Sequence, residues 1–479
     1  MLSKVNEQHI AFQLLLILCP SKSCQLYKTP LFLLTTSIFD NINTILKREV
    51  LATNFIPELQ KRGLLQDIIP GTEEQLAKEM TSGYVGFDPT SDSLHIGSML
   101  PIILLMHLQK AGHKPYALIG GATGMIGDPS GKSAERNLLD MDTLSKNVEG
   151  IKKQLSRFLN FNDNIPNKAE LVNNYDWFKD FNFLDFIRDV GKHITVNYMM
   201  SKDSVKNRLE GTSGMSFTEF TYQLIQGYDF YYLNKENNIK LQFGGADQWG
   251  NIVTGTEMIR KKGGSDAFAF TCPLLKKADG GKFGKSESGN VWLDREKTSP
   301  YAFYQYWLNV ADEDAKKLIK IFTFLPLSKI DELIKEHEGA EQLRILQKKL
   351  AEEITIMVHS KADFDAAIKT TNFLFGKNTN EDLNALSKEE FIELMTGVPF
   401  VSYKKDLLNE SLDIIQFLSD TGIFPSKGEA RKMIQGGGVS INRTKINKDI
   451  TSLDKSYLLK DKFMLINKGR KEVHLVTFE

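Results

Sequence analysis

Between Gly83 and Gly120 the chain reads as an apolar strand, a polar break, an apolar helix and a second apolar strand. That order constrains the fold more than any other feature, because two strands joined through a helix lie parallel and need a crossover on one face of their sheet. Residues 83–87 (GYVGF) are the first strand, ended by Asp88-Pro89-Thr90. The segment from Leu94 to Lys110 is apolar at helical spacing, with Pro101 early enough that its missing amide is tolerated. Tyr116 to Gly120 (YALIG) is the second strand. The alternation continues. A helix over 144–160, a strand over Leu171–Asn174, helical signal over 182–199, an aromatic-rich helix from Phe217 to Tyr232, a strand over Ile239–Phe243, a helix over 250–262 and a strand within 266–275 follow in turn. The fold class expected is α/β, with a Rossmann-like parallel sheet.

Other regions read differently. Residues 54–80 read as helix, loop and helix, with Thr72 as the cap of the second helix. Over 300–395 strand signals almost vanish and a helical domain is expected. Residues 396–411 are irregular and read as a linker. Residues 412–479 alternate two short helices with short strands, a small α+β domain. The parallel-sheet domain then occupies 51–299, and residues 1–50 form an N-terminal extension. Within that extension Ala11–Cys19 is apolar, but no clean small-x-small cleavage site follows it. No run of about 18 or more apolar residues exists, so no membrane-spanning helix is expected. Three cysteines, Cys19, Cys24 and Cys272, make no disulfide framework, and no His/Cys spacing suggests a bound metal. Basic and acidic residues balance at 60 each, yet residues 421–479 hold 12 Lys/Arg against 6 Asp/Glu. Lys427, Arg431 and Lys432 fall on or beside one of its helices, and Arg443, Lys445 and Lys448 follow the next turn and strand. Basic residues so grouped can sit against phosphates.

Three segments carry chemistry. The string Asp88-Pro89-Thr90-Ser91-Asp92-Ser93-Leu94-His95-Ile96-Gly97-Ser98 joins strand to helix. It sets His95 and Gly97 at a helix N-terminus, where free amides favour phosphate. The glycine-rich stretch from Gly120 to Ser133 is neither a P-loop, since Ile126 stands where that motif needs glycine, nor a dinucleotide fingerprint. It still permits close ligand approach, offers Asp128 to a ligand cation, and brings Lys132 and Arg136 nearby. Lys282-Phe283-Gly284-Lys285-Ser286 flanks a glycine with two lysines, a segment able to neutralise charge on a departing polyphosphate. On the aromatic-rich helix, Tyr222, Gln226 and Asp229 share one stripe.

The pair DSLHIGS and KFGKS resembles the HIGH and KMSKS signatures of class I aminoacyl-tRNA synthetases. The text around them (GFDPTSDSLHIG, GGATGMIGDPSGKS, NNYDW, FTEFTYQLIQGYDF, GGADQWGN, KADGGKFGKSESG) resembles the bacterial-type tyrosyl-tRNA synthetases. GIFPSKGEARKMIQGGGVSINRTKI resembles an S4-type RNA-binding domain. The resemblance implies activation of L-tyrosine by ATP, with Mg²⁺, and transfer of the tyrosyl group to tRNA(Tyr). It further implies a cytoplasmic homodimer. Tyr84 and the GYDF string speak against the tryptophan-specific relative.

By the same resemblance Tyr84 and Asp229 contact the phenol hydroxyl of the substrate. Asp128, Tyr222 and Gln226 take its ammonium, Gln248 its carboxylate region, and Asn173 supports the pocket. Gly86, Asp88, His95, Gly97, Ser98, Gly245 and Asp247 surround ATP. Lys282, Lys285 and Ser286 hold its phosphates, Lys132 and Arg136 reach phosphate or the tRNA end, and Lys427, Arg431, Lys432, Arg443 and Lys445 bind tRNA. Catalysis falls to His95, Ser98, Lys282 and Lys285. Ser98 replaces the second histidine of the signature, a hydroxyl in place of a ring donor.

Overall fold

The computed structural model describes residues 55–479 except 131–138, 212–213, 279, 282, 287–288, 377–378 and 448. The expected extension over 1–50, together with Lys132, Arg136, Lys282 and Lys448, lies outside the described residues. Five parallel strands form the main sheet: β1 Ser82–Phe87, β2 Lys114–Ile119, β3 Glu170–Asn173, β4 Ile239–Gly245 and β5 Phe268–Cys272. Their order is β3-β2-β1-β4-β5, so the winding direction reverses between β1 and β4. In such sheets a crevice opens beyond the carboxyl ends of the strands at the point of reversal. Asp88 follows β1, and Gly245 ends β4.

Helices α1 Phe55–Arg62 and α2 Thr72–Lys78 precede the sheet, and α3 Met99–Lys110 and α4 Met141–Leu155 follow β1 and β2. Thr72 does not cap α2. Gly71 holds the N-cap in the left-handed region at φ 86°, while the Thr72 hydroxyl donates back to the Ile69 carbonyl at 2.6 Å. Helix α3 buries Met99, Leu100, Ile102, Ile103, Leu104, Leu105 and Leu108, an apolar surface on nearly every side. Such a helix has to be covered all round. Helix α5 Phe217–Asn237 carries the polar stripe, and α6 Trp249–Lys261 follows β4. A capping box starts α5: the Glu219 amide donates to Ser216 Oγ at 3.2 Å, and the Glu219 carboxylate accepts from the Ser216 amide. That carboxylate also pairs with buried Arg208 at 2.6 Å.

The helical domain comprises α7 Pro300–Leu308, α8 Asp312–Phe322, α9 Leu327–His337, α10 Ile345–Val358, α11 Lys361–Phe375, α12 Asn380–Ala385 and α13 Lys388–Leu394. Its apolar core is continuous with that of the sheet domain. Buried Arg62 on α1 reinforces the join, donating to the Lys320, Thr323 and Leu325 carbonyls at 3.0, 2.8 and 2.7 Å. These carbonyls at the end of α8 have few partners within their own helix.

The stretch expected as a linker is partly strand. β6 Phe400–Tyr403 pairs in parallel with the last strand of the chain. Helices α14 Ile414–Asp420 and α15 Lys427–Gln435 follow, then β7 Val439–Ile441, β8 Thr444–Lys445, β9 Phe463–Lys468 and β10 Glu472–Phe478. The sheet order is β8-β7-β9-β10-β6. One face covers a private core around Phe417, Phe424 and Phe478. From the other face Phe463, Leu465, Val473 and Leu475 join the main core, with Phe463 5.2 Å from the Phe391 ring of α13. The irregular composition of 396–411 concealed a strand because β6 is four residues long and pairs with residues 75 positions further along the chain, Phe400 with Leu475.

Candidate active site

A cavity of 770 Å³ lies at the reversal point. Tyr84, Gly86 and Asp88 from β1 and its exit line it, with His95, Gly97 and Ser98 from the turn into α3. Thr123 and Asp128 enter from the glycine-rich stretch, Tyr222, Gln226 and Asp229 from α5, and Gly245, Asp247 and Gln248 from the end of β4. Sequence reading placed every one of these in a site except Thr123.

The polar groups interlock. Asp88 accepts from the Thr123 hydroxyl at 2.7 Å and from the Tyr222 hydroxyl at 2.9 Å. Gly120 makes the first bond possible, since a Cβ there would fall 2.2 Å from both Asp88 Oδ1 and Thr123 Oγ1. Asp128 accepts from the Ser130 amide at 2.9 Å and from Gln248 Nε2 at 2.7 Å. Asp229, buried, accepts from Asn174 Nδ2 at 3.1 Å and from Trp177 Nε1 at 2.9 Å. Burial pushes the Asp229 carboxyl up to about 8; the two donors work against that shift, and the charge of Asp88 adds to it. The Tyr84 hydroxyl is buried with no hydrogen-bond partner among the described residues. Its acidity is pushed well down, first by burial and then by the nearby Asp229. Gln242, directly opposite Tyr84 on β4, presents to the same cavity a buried side-chain oxygen with no hydrogen-bond partner among the described residues. Buried polar atoms left unpaired at a cavity wall are costly unless a ligand completes them.

The two signature strings meet here. The Ile96 amide donates to the Val291 carbonyl at 2.9 Å, and the Leu293 amide donates to the Leu94 carbonyl at 2.9 Å. His95 thus faces Trp292 across a short antiparallel bridge, ring centres 6.0 Å apart. Within KFGKS, Gly284 has φ +82°, and a Cβ there would lie 3.0 Å from the Gly97 amide nitrogen. The turn from β1 into α3, a buried phenol-and-carboxylate wall and Phe283 of the KFGKS string therefore line one crevice.

Residues 76–376 match the family model described as "tRNA synthetases class I (W and Y)". Residues 390–476 match the "Tyrosine--tRNA ligase SYY-like C-terminal domain". A tyrosine–tRNA ligase of Flavobacterium johnsoniae is 60% identical over 427 residues, covering 88% of this chain and 99% of that protein. One from Bacteroides fragilis is 57% identical over 429 residues, with the same shares covered. This chain belongs to the tyrosine–tRNA ligase family. Among solved structures, a C-terminally truncated mitochondrial tyrosyl-tRNA synthetase of Aspergillus nidulans superposes with a TM-score of 0.59 at 30% identity, over 67% of this chain and 94% of that one.

Some expected site residues stand elsewhere. Asn173 does not line the cavity; its carboxamide oxygen accepts from the Gly121 and Tyr175 amides at 3.2 and 3.0 Å and shapes the glycine-rich stretch. Its neighbour Asn174 reaches Asp229 instead, because adjacent residues leaving a strand face opposite ways. Asn174, Trp177, Thr123 and Gln242 were missed. NNYDW marked the neighbourhood, but only packing against α5 identifies the contacts. Lys285 and Ser286 pair by backbone with Asn290 and Gly289, while their side chains lie outside the described set. In the C-terminal domain Lys427, Arg431, Lys432 and Lys445 are exposed. Arg443 is not grouped with them. Its guanidinium donates to the Phe373 and Thr379 carbonyls at 2.6 and 3.1 Å and lies over the Phe373 ring, fastening this domain to α11.

Proposed function

We propose that the cavity joins L-tyrosine to ATP, taken as its Mg²⁺ complex, and passes the tyrosyl group to the terminal ribose of tRNA(Tyr). The observation that carries this reading is the Tyr84 hydroxyl, buried and unpartnered beside Asp229. A phenol hydroxyl entering the cavity could bond to both. Phenylalanine would leave them unpaired, which costs binding. Asp128, Tyr222 and Gln226 would face the substrate ammonium, and Gln248 its carboxylate region.

The carboxylate oxygen of tyrosine attacks the α-phosphorus of ATP in line. The new O–P bond forms as the bond to pyrophosphate breaks. Positioning and charge stabilisation suffice, with no protein nucleophile. In this reading Gly86, Gly97, Gly245 and Asp247 cradle the nucleoside, and His95 and Ser98 meet charge developing at phosphate. Lys282 and Lys285, with Ser286, would hold the departing pyrophosphate, and Lys132 and Arg136 would contact phosphate or the tRNA end. A ribose hydroxyl of the tRNA then attacks the activated carbonyl carbon, and AMP leaves. Lys427, Arg431, Lys432 and Lys445 supply phosphate contacts.

The experiment is amino-acid-dependent exchange of pyrophosphate into ATP by the purified chain. Tyrosine should support exchange, with phenylalanine and tryptophan near background; no exchange with tyrosine would refute the reading. A homodimer belongs to the same proposal. Phe183, Leu184, Val196 and Phe217 are 64%, 72%, 59% and 65% exposed, an apolar surface fit to be covered by a second copy. Light scattering should give twice the chain mass, and a monomer active in charging would remove the dimer. A cytoplasmic enzyme should stay in the supernatant on cell fractionation; recovery with organelles would overturn that placement.

A further inference from the structure

We propose that Tyr306 is a positioning residue for tyrosine activation: from the helical domain, its hydroxyl fixes the backbone of KFGKS at Gly284 against the HIGS backbone at Gly97. The proposal rests on the activation reading above. The Gly284 amide donates to the Tyr306 hydroxyl at 3.1 Å, and the Gly284 carbonyl accepts from the Val291 amide at 3.1 Å. Both main-chain polar groups of Gly284 are therefore held, one by the helical domain and one by the strip that is bridged to His95. Gly284 packs so closely on Gly97 that a Cβ there would crowd the Gly97 amide nitrogen.

The neighbouring contacts point the same way. The Phe283 ring stacks on Phe322 of α8, centres 5.6 Å apart and planes 20° from parallel, and lies 5.9 Å from Trp307. Upstream, the Ala278 amide donates to the Asp314 carboxylate at 3.0 Å. Thus α7 and α8 grip the segment at three described residues, 278, 283 and 284. Burial raises the Tyr306 hydroxyl to about 12, so it remains protonated across the working range. The tyrosine contacts proposed above come from β1, α5, Asp128 and Gln248 and do not pass through Tyr306. Loss of the hydroxyl should therefore act on the chemical step and leave binding of the amino acid alone.

The test uses Tyr306→Phe in the full chain, which keeps the ring and removes only the acceptor. Adenylate formation should slow by about 3- to 10-fold, the factor one neutral hydrogen bond is worth. The tyrosine KM should stay within about twofold of the parent, as expected for an interaction felt in the transition state. Hydrogen exchange in the peptide containing Gly284 should accelerate at unchanged Tm. Tyr304→Phe, which removes a hydroxyl from the same helix, should change none of these. An unslowed Tyr306→Phe enzyme overturns the proposal, as does an equal slowing by Tyr304→Phe. If the parent itself shows no tyrosine-dependent exchange, the activation reading fails and takes the proposal with it.

Discussion

Charge is handled in opposite ways at the two ends of this molecule. In the cavity, Asp88, Asp128 and Asp229 each accept at least two hydrogen bonds from groups among the described residues, at 2.7–3.1 Å. In the C-terminal domain Lys427, Arg431, Lys432 and Lys445 stand exposed, with no carboxylate partner among the described residues. On the proposed function, the difference follows from the ligand. A small molecule is selected by fixed groups in low dielectric, where one unmatched atom is costly. A polyanion is held by exposed cations whose benefit comes largely from releasing its condensed counter-ions, and fixed geometry adds little. Arg443 lies between these regimes: basic and in the C-terminal domain, yet bound to backbone like a structural group.

Three experiments would break or sharpen this contrast. The largest effect is expected from Asp229→Ala. The preference for tyrosine over phenylalanine in pyrophosphate exchange should fall by roughly 10- to 100-fold, the factor for one unsatisfied buried group at about 1–3 kcal/mol. Undiminished preference would take Asp229 out of the specificity wall.

A smaller effect is expected when Lys427, Arg431 and Lys432 are changed together to Ala. Affinity for tRNA should drop about 10-fold at low salt, and its salt dependence should flatten by about 2–3 in slope. Tyrosine-dependent exchange should not change. Equal affinity and equal salt dependence would make these residues a mere solubility cap. Substitution is a sharper test than truncation near Asn409, which would strip β6 of its partner strand and uncover Phe391.

The smallest effect concerns pH. The folded Asp229 carboxyl is raised from 3.8 to about 8, so the folded state holds a proton that the unfolded chain has released. That contribution to stability is complete below about pH 4 and is lost as pH rises through 8. Asn cannot ionise. The Tm of Asp229→Asn relative to the parent should therefore climb by a few degrees between pH 6 and 9. A constant difference would mean that the carboxyl is not strained by burial.

The parallel sheet was legible because its signal is local. Strands of four to seven residues alternate with helices. The site was legible in the strings flanking β1, α5 and β4, whose residue types suit their chemistry in short spans. Thr123, Asn174 and Trp177 were not, because an Asn or a Trp near a strand end has many uses, and its partner lies 35 to 55 positions away. The linker was misread for the same reason, since β6 is a strand only by virtue of β10.

The amino-acid sequence by itself determined the fold class and the two signature strings, since periodicity and short motifs are properties of neighbouring residues. Tertiary structure decided which acceptors are completed by the protein and which are left for a ligand. It assigned Arg443 to a domain contact and Asn173 to the shaping of a loop. It also set Gly284 between Gly97 and the Tyr306 hydroxyl, joining the helical domain to the candidate site. The physical reason is that hydrogen bonding and burial depend on distances in space, which packing fixes between segments far apart in the chain.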